Sequence, residues 1–324
     1  MNLPVDFQAF YEKIELGEPQ MRRMNSAASR LTEYLQEYYN LSAGDVFLQG
    51  SYPNGTAVKP DPDDPDGEYD VDLVSISASP TDTPEEALQN LEDALAEHGD
   101  FKDRIEKENP QAPCVRLRYA DDEIGGFHVD VTPARLAVGA PLEIPRRRVG
   151  WQLTAPREYT QWCRDQGDDF ARLVQMLKRW RDYTQDAHRA VKSIVLQVLI
   201  ANNRVHDPDD ARAVAGTLRA ISDTLALSPN TAPELLNPVL QSENLTARWT
   251  DTDYRNFRTV VGKAADLAER ALNEPGLNES RTLWRELFGS DFPAPEKPGR
   301  FTPPPPPASG RTRPQKAPPR VEWG

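Results

Sequence analysis

Three aspartates carry the chemistry that this sequence advertises. Asp70 and Asp72 stand two apart in the alternating stretch 69–76. In an extended strand, residues i and i+2 share a face, so both carboxylates point the same way. Two carboxylates held side by side repel, and one stays protonated unless a cation joins them. All-oxygen donors suit hard divalent ions such as Mg²⁺. Val71 and Leu73 point to the opposite face, into a core, and fix the strand. Asp130 obeys the same logic in 127–131, where Phe127, Val129 and Val131 share the other face. A third carboxylate from a neighbouring strand completes a set for two ions, one on a triphosphate and one lowering the pKa of an attacking hydroxyl.

Upstream, the apolar run 46–48 stops at Gly50-Ser51. Gly50 lets the backbone approach a phosphate closely. Ser51 offers a hydroxyl and a backbone N–H to phosphate oxygens. A turn and short helix are predicted over 54–58. The loop after them holds Asp61, Asp63, Asp64 and Asp66, read as a solvated acidic segment rather than a cation site. His128 reads as a structural strand histidine.

Several elements must position these groups. The first 40 residues read as helix, broken near Gly17 and Pro19. Strands are predicted at 46–48, 69–76, 115–119 and 127–131, the third alternating apolar and basic residues. Thr83, Pro84 and Glu86 form a capping box opening a helix whose buried stripe is Leu88, Leu91 and Leu95. Beyond Pro156 the pattern turns helical. Phe170, Leu173, Val174 and Leu177 make one stripe, and 190–201 is apolar on nearly all sides, as a central helix would be. Further helices are predicted near 211–227, 252–272 and 278–288. The expectation is an α+β protein: a sheet domain over 1–155 with a bracing N-terminal helix, a helical domain over 156–290, and a cleft between them.

The order Gly-Ser, then Asp-x-Asp, then a lone Asp on a later strand resembles the polymerase β-like nucleotidyltransferases. Within them, the chain is most similar to the bacterial cyclic-oligonucleotide synthases of anti-phage systems, the CD-NTases. LQGSYPNGTAV, YDVDLVSI and FHVDVTPA carry the likeness. It continues through LVQMLKRWR, VKSIVLQVLI and NPVLQSENLT, spanning roughly residues 40–265. The resemblance implies that Asp70 and Asp72 bind both of two Mg²⁺ ions (Mn²⁺ being an alternative), with Asp130 on the catalytic one. It implies that Gly50 and Ser51 meet the donor triphosphate, and that Lys178 and Ser193 reach phosphates from the helical lobe. The substrates implied are NTPs, ATP among them. The implied product is a cyclic di- or trinucleotide read by a downstream effector. A linear oligoadenylate-type product, nucleotidylation of a protein, and a non-enzymatic scaffold are the alternatives. Ser51 and Asp70 lie 19 positions apart, a longer gap than the family's usual one, and 61–68 accounts for the excess.

Net charge is −13, which argues against a long nucleic acid as main substrate. No apolar run reaches the roughly 20 residues that span a bilayer, and the N-terminus lacks signal-peptide character, so a soluble, cytoplasmic chain without membrane contact is expected. Cys114, in a predicted strand, and Cys163, near a predicted helix start, read as reduced packing residues. After position 290 the composition shifts. The last 34 residues hold 11 of the 30 prolines and six basic against three acidic side chains, as an extended tail over 291–324 would. Its terminal Gly324 has the form that a ubiquitin-like conjugating enzyme requires, an unhindered carboxylate on an extended segment.

Overall fold

The computed structural model describes residues 1–60, 69–107, 113–119, 125–137, 141–146, 148–184 and 191–296. The acidic cluster of 61–68 and Gly324 lie outside these.

Two helices open the chain, α1 (Pro4–Ile14) and α2 (Glu18–Tyr39). A break falls at Gly17, as the sequence predicts. Then come β1 (Val46–Gln49), β2 (Tyr69–Ser75), α3 (Pro84–Glu97), the short α4 (Gly99–Lys102), β3 (Val115–Tyr119) and β4 (Phe127–Pro133). Thr83 caps α3 with both halves of the capping box formed. The four strands make one sheet in the order β1-β2-β4-β3. β2 and β4 run parallel, and the outer pairings are antiparallel.

Alternation along the strands separates two faces. Val71, Leu73, Val115, Leu117, Val129 and Val131 are buried against Leu31 and Leu35 of α2 and Leu91 and Leu95 of α3. Burial of this apolar face, at about 25 cal/mol per Å², fixes which residues look the other way.

A second sheet of β5 (Arg135–Leu136), β6 (Leu142–Arg146) and β7 (Gly150–Thr154) follows. Its strands are short and only half-buried, so no periodic stretch announces them. The remaining helices are α5 (Pro156–Asp165), α6 (Asp168–Tyr183), α7 (Ser193–Asn203), α8 (Asp210–Ala226), α9 (Asp251–Asn273) and α10 (Leu277–Phe288). α7 sits centrally: Val195 through Ile200 are all buried.

Three expectations need correction. Residues 54–58 form no helix. A turn closes there instead, with the Gly55 N–H bonded to Tyr52 O at 3.1 Å and the Thr56 N–H to Ser51 O at 3.0 Å. Cys163 lies late in α5, buried, because the helix starts at Pro156; it and Cys114 are free thiols. The tail does not begin at 291. Phe292 is fully buried, Asp291 Oδ2 pairs with Arg179 Nε at 3.0 Å, and Glu296 pairs with Arg281 at 2.8 Å.

The N-terminal segment divides between the two cores. α2 packs on the sheet, whereas Leu3, Phe7, Phe10 and Ile14 of α1 join the helical core. Phe10 packs tilted against Phe288 at 4.5 Å between ring centroids, and Phe7 meets Trp284 edge-on at 4.9 Å. Arg281 of α10 reaches Asp6 at 3.1 Å. Phe10→Ala should therefore cost about 3–5 kcal/mol, through lost burial and a residual cavity. Urea unfolding checks this; a loss under about 1 kcal/mol would show that α1 does not brace the helices.

Candidate active site

The outer face of the first sheet carries the polar row that the alternation foretold. Asp72 on β2 pairs in register with Asp130 on β4, which pairs with Arg116 on β3; Gln49 of β1 completes the row. One row along, Asp70 stands opposite His128, and His128 opposite Arg118. Asp70 is exposed, while Asp72 and Asp130 are partly buried.

This crowding has an electrostatic cost. Burial, then the neighbouring charges of Asp70 and Asp130, push the Asp72 carboxyl up to about 7, against the pull of Arg116 and Lys178. Asp130 is engaged on its other side. Arg116 donates to it through Nε at 2.7 Å and Nη2 at 2.8 Å, a planar two-bond pairing. Glu106 lies 3.8 Å from Arg116 and 3.1 Å from Arg118, extending the network along β3. With Asp130 turned onto Arg116, the three aspartates do not close into a cage. No three His, Cys, Asp or Glu side chains among the described residues do. The donor set nonetheless fits a hard divalent ion. It is all carboxylate, two members face each other in register, and one carries a raised pKa that a cation would reverse. Arg116 now supplies part of that compensation.

Beside the carboxylates lies the Gly50-Ser51 turn. Gly50 has φ +81°, and a Cβ there would sit 2.2 Å from Asp72 Oδ2. Glycine is thus required twice, for the backbone angle and for the approach to the carboxylate. The helices hold the rest of the turn. Lys178 Nζ of α6 donates to Thr56 O at 3.0 Å, and Gln197 Nε2 of α7 donates to Thr56 Oγ1 at 3.0 Å. Gln175 reaches Ala57 O at 2.8 Å, Arg179 reaches Lys59 O at 2.8 Å, and Thr160 bonds the buried Asn54 at 2.7 Å. Lys178 is buried at the cleft wall. Burial and then Arg181 pull its ammonium down to about 8, against Asp182, Asp70 and Asp72. Ser193 opens α7 at the same wall, where its hydroxyl accepts from Arg181 Nη1 at 2.9 Å.

Gly50, Ser51, Asp70, Asp72, Lys178 and Ser193 all line one cleft, and Asp130 adjoins it through Arg116. Sequence reasoning missed Arg116 and the helical residues that grip the turn. The alternating basic residues of 115–119 were a signal for the first. A lone glutamine in the apolar helix α7 was a signal for Gln197.

The profile of the Second Messenger Oligonucleotide or Dinucleotide Synthetase (SMODS) domain matches residues 1–167. A c-di-GMP synthase of Roseivirga ehrenbergii is 25% identical, across 86% of this chain and 82% of its own. A cyclic AMP-AMP-AMP synthase of an Acinetobacter species is 25% identical, across 88% and 85%. In fold, the chain is similar to E. coli MS115-1 CdnC with ATP, at TM-score 0.69 and 19% identity, across 91% of this chain and 99% of that one.

Two outcomes are expected from the geometry. Gly50→Ala should weaken Mn²⁺ binding at least tenfold, read by water-proton relaxation, because the new methyl displaces the Asp72 carboxylate; unchanged affinity would separate Gly50 from the metal ligands. Asp72 also links pH to stability. In the fold its pKa, about 7, lies above the ordinary value that an aspartate carboxyl has in the unfolded chain. The protonated form therefore favours folding, and that contribution is lost as pH rises through 7. Between pH 5 and 8 the metal-free wild type should lose more Tm than Asp72→Asn. Mg²⁺ should restore the difference at pH 8 and not at pH 5. Parallel melting curves for the two proteins would contradict this.

Proposed function

Because the chain belongs to the SMODS family, we propose that it is a template-independent nucleotidyltransferase making a cyclic di- or trinucleotide second messenger from NTPs in anti-phage defence. The observation that carries this reading is the in-register Asp72–Asp130 pair beside Gly50, whose positive φ and closeness to Asp72 disfavour any Cβ there. The relatives' products, one cyclic dinucleotide and one cyclic trinucleotide, support it.

In this reading, Asp70, Asp72 and Asp130 hold two Mg²⁺ ions, or Mn²⁺ in their place. Such ions, when bound, supply Lewis-acid charge to the phosphates and make the attacking hydroxyl more acidic. Ser51 offers its N–H and hydroxyl to the donor triphosphate. Lys178, and Ser193 backed by Arg181, meet the same phosphates from the helical wall. Arg116 gives up Asp130, which then faces the acceptor. A ribose 2′ or 3′ hydroxyl oxygen bonds to the α-phosphorus, the bond from that phosphorus to pyrophosphate breaks, and the hydroxyl proton passes to Asp130. A second transfer closes the ring, and a downstream effector binds the product.

Purified protein with all four NTPs and Mg²⁺ should release pyrophosphate and yield a phosphatase-resistant product whose mass identifies bases and ring size. Asp70→Asn with Asp72→Asn should lower the rate by about 10³-fold or more. A purely linear product, or label passing from an α-labelled NTP to protein, would overturn the cyclase assignment.

A further inference from the structure

Two buried glutamines hold adjacent residues of the turn that follows Ser51, and each is backed by a tyrosine. On α6, Gln175 Nε2 donates to Ala57 O at 2.8 Å, and Gln175 Oε1 accepts from the Tyr11 hydroxyl of α1 at 2.7 Å. On α7, Gln197 Nε2 donates to Thr56 Oγ1 at 3.0 Å, and Gln197 Oε1 accepts from the Tyr159 hydroxyl of α5 at 2.8 Å. The two chains of bonds have the same order, from tyrosine to glutamine to turn. They draw on four different helices.

Chemistry fixes the direction of the first chain. Ala57 O can only accept, so the amide nitrogen must face it and the amide oxygen must face Tyr11. The second chain runs one step further. The Thr56 hydroxyl donates to Ser51 O at 3.4 Å, and the Thr56 N–H reaches the same oxygen at 3.0 Å. These bonds take the Ser51 carbonyl and leave its N–H and hydroxyl outside the relay.

Packing alone does not ask for a glutamine at either place. Gln175 is 6% exposed and Gln197 3%, and their neighbours Val174, Met176, Leu196 and Val198 are buried. A methionine would fill either position without burying an amide. Each amide is bonded at both its oxygen and its nitrogen, and satisfied buried polar groups specify one geometry where hydrocarbon would tolerate several. Their places on the helices say which geometry. Gln175 lies three residues before Lys178 on α6, and Gln197 lies four after Ser193 on α7, so each pair shares a helix face. Each helix thus carries a grip on the turn about one helical turn from a residue of the cleft wall.

We propose that Gln175 and Gln197 are positioning residues, the centres of two tyrosine–glutamine relays that set the spacing between Ser51 on the turn and Lys178 and Ser193 on the helical wall. That spacing decides how a triphosphate fits between them. The ligand, though not the relays, rests on the transferase reading above. Both glutamines act through the turn.

The full chain is compared as wild type, Gln175→Met and Gln197→Met, each checked by circular dichroism and melting. Each change keeps the side chain's length and removes both of its hydrogen bonds. First, amide hydrogen exchange is followed by mass spectrometry without nucleotide. Peptides covering 51–58 should exchange about tenfold faster in either variant, while peptides from α6 and α7 keep the wild-type rate. Unchanged exchange in the turn, or acceleration spread equally over the turn and both helices, overturns the relays, and this arm decides whatever the protein's activity. Second, a non-hydrolysable ATP analogue with Mg²⁺ is titrated calorimetrically, and Mn²⁺ alone is titrated by water-proton relaxation. Affinity for the analogue should fall about tenfold while Mn²⁺ affinity is kept, because the carboxylates stay on the sheet. Loss of both in parallel, or of neither, overturns the positioning role. Where a methionine variant does not fold, Tyr11→Phe or Tyr159→Phe opens the same relay from its outer end, and effects of about threefold in the same directions are expected. Wild type failing to bind the analogue would instead sink the transferase reading and leave the exchange rates to judge the relays.

Discussion

Three carboxylates share one face of a sheet whose other face is hydrocarbon, and most of the site's design follows from that crowding. The parallel pairing of β2 with β4 brings Asp72 directly opposite Asp130. The buried rows of Val71, Leu73, Val129 and Val131 forbid any slip of register, since a one-residue shift would turn the aspartates into the core. The acidic row is thus fixed in position by apolar burial on its far side. Left alone it raises the pKa of its most enclosed member. Arg116, at the next register position, answers part of that cost by pairing with Asp130. The same pairing engages Asp130, so a divalent ion bound there would have to displace Arg116 from that carboxylate.

The turn that approaches Asp72 belongs by sequence to the sheet but by hydrogen bonding to the helices. Lys178, Gln175 and Arg179 of α6 and Gln197 of α7 hold the backbone or side chains of 56–59. Movement of α6 or α7 against the sheet would shift the turn relative to the carboxylates. Lys178 is therefore both a positive group on the cleft wall and a tether of the turn beside the carboxylates. Its substitution would disturb two functions at once, which makes a simple loss of activity on changing it hard to interpret as phosphate contact.

What the sequence made legible follows from periodicity. Period-two alternation in 69–76 and 127–131 placed the aspartates on the right face, and the 115–119 strand was also evident. Helical stripes, capping signals and Gly17 located the long helices to within a few residues. The second sheet was invisible because β5–β7 are short and half-buried, and β6 carries Pro145, which reads against a strand. The stretch 54–58 read as a turn and short helix because Asn54 and Thr56 are buried by contacts from Thr160 and Gln197, more than a hundred positions away. Lys178 and Ser193 were legible only through resemblance. Spacing alone cannot say that the lysine lands on Thr56 O or that the serine is held by Arg181.

The chain's charge is strongly acidic, yet its cleft is lined by cations drawn from every wall: Lys178, Arg181 and Lys192 from the helices, Arg116 and Arg118 from β3. These two facts favour different ligands at different ranges. At distances beyond about 10 Å, salt screens single charges, and a long polyanion running over the surface would meet net repulsion at every further phosphate. Inside the cleft, partial burial weakens that screening, and a compact triphosphate meets several cations at once. A small anion accompanied by divalent ions carries less net charge than a polymer does. It also supplies the positive charge that the Asp70–Asp72–Asp130 row lacks. The acidic net charge thus disfavours a long polyanion, and the cations of the cleft suit a compact one.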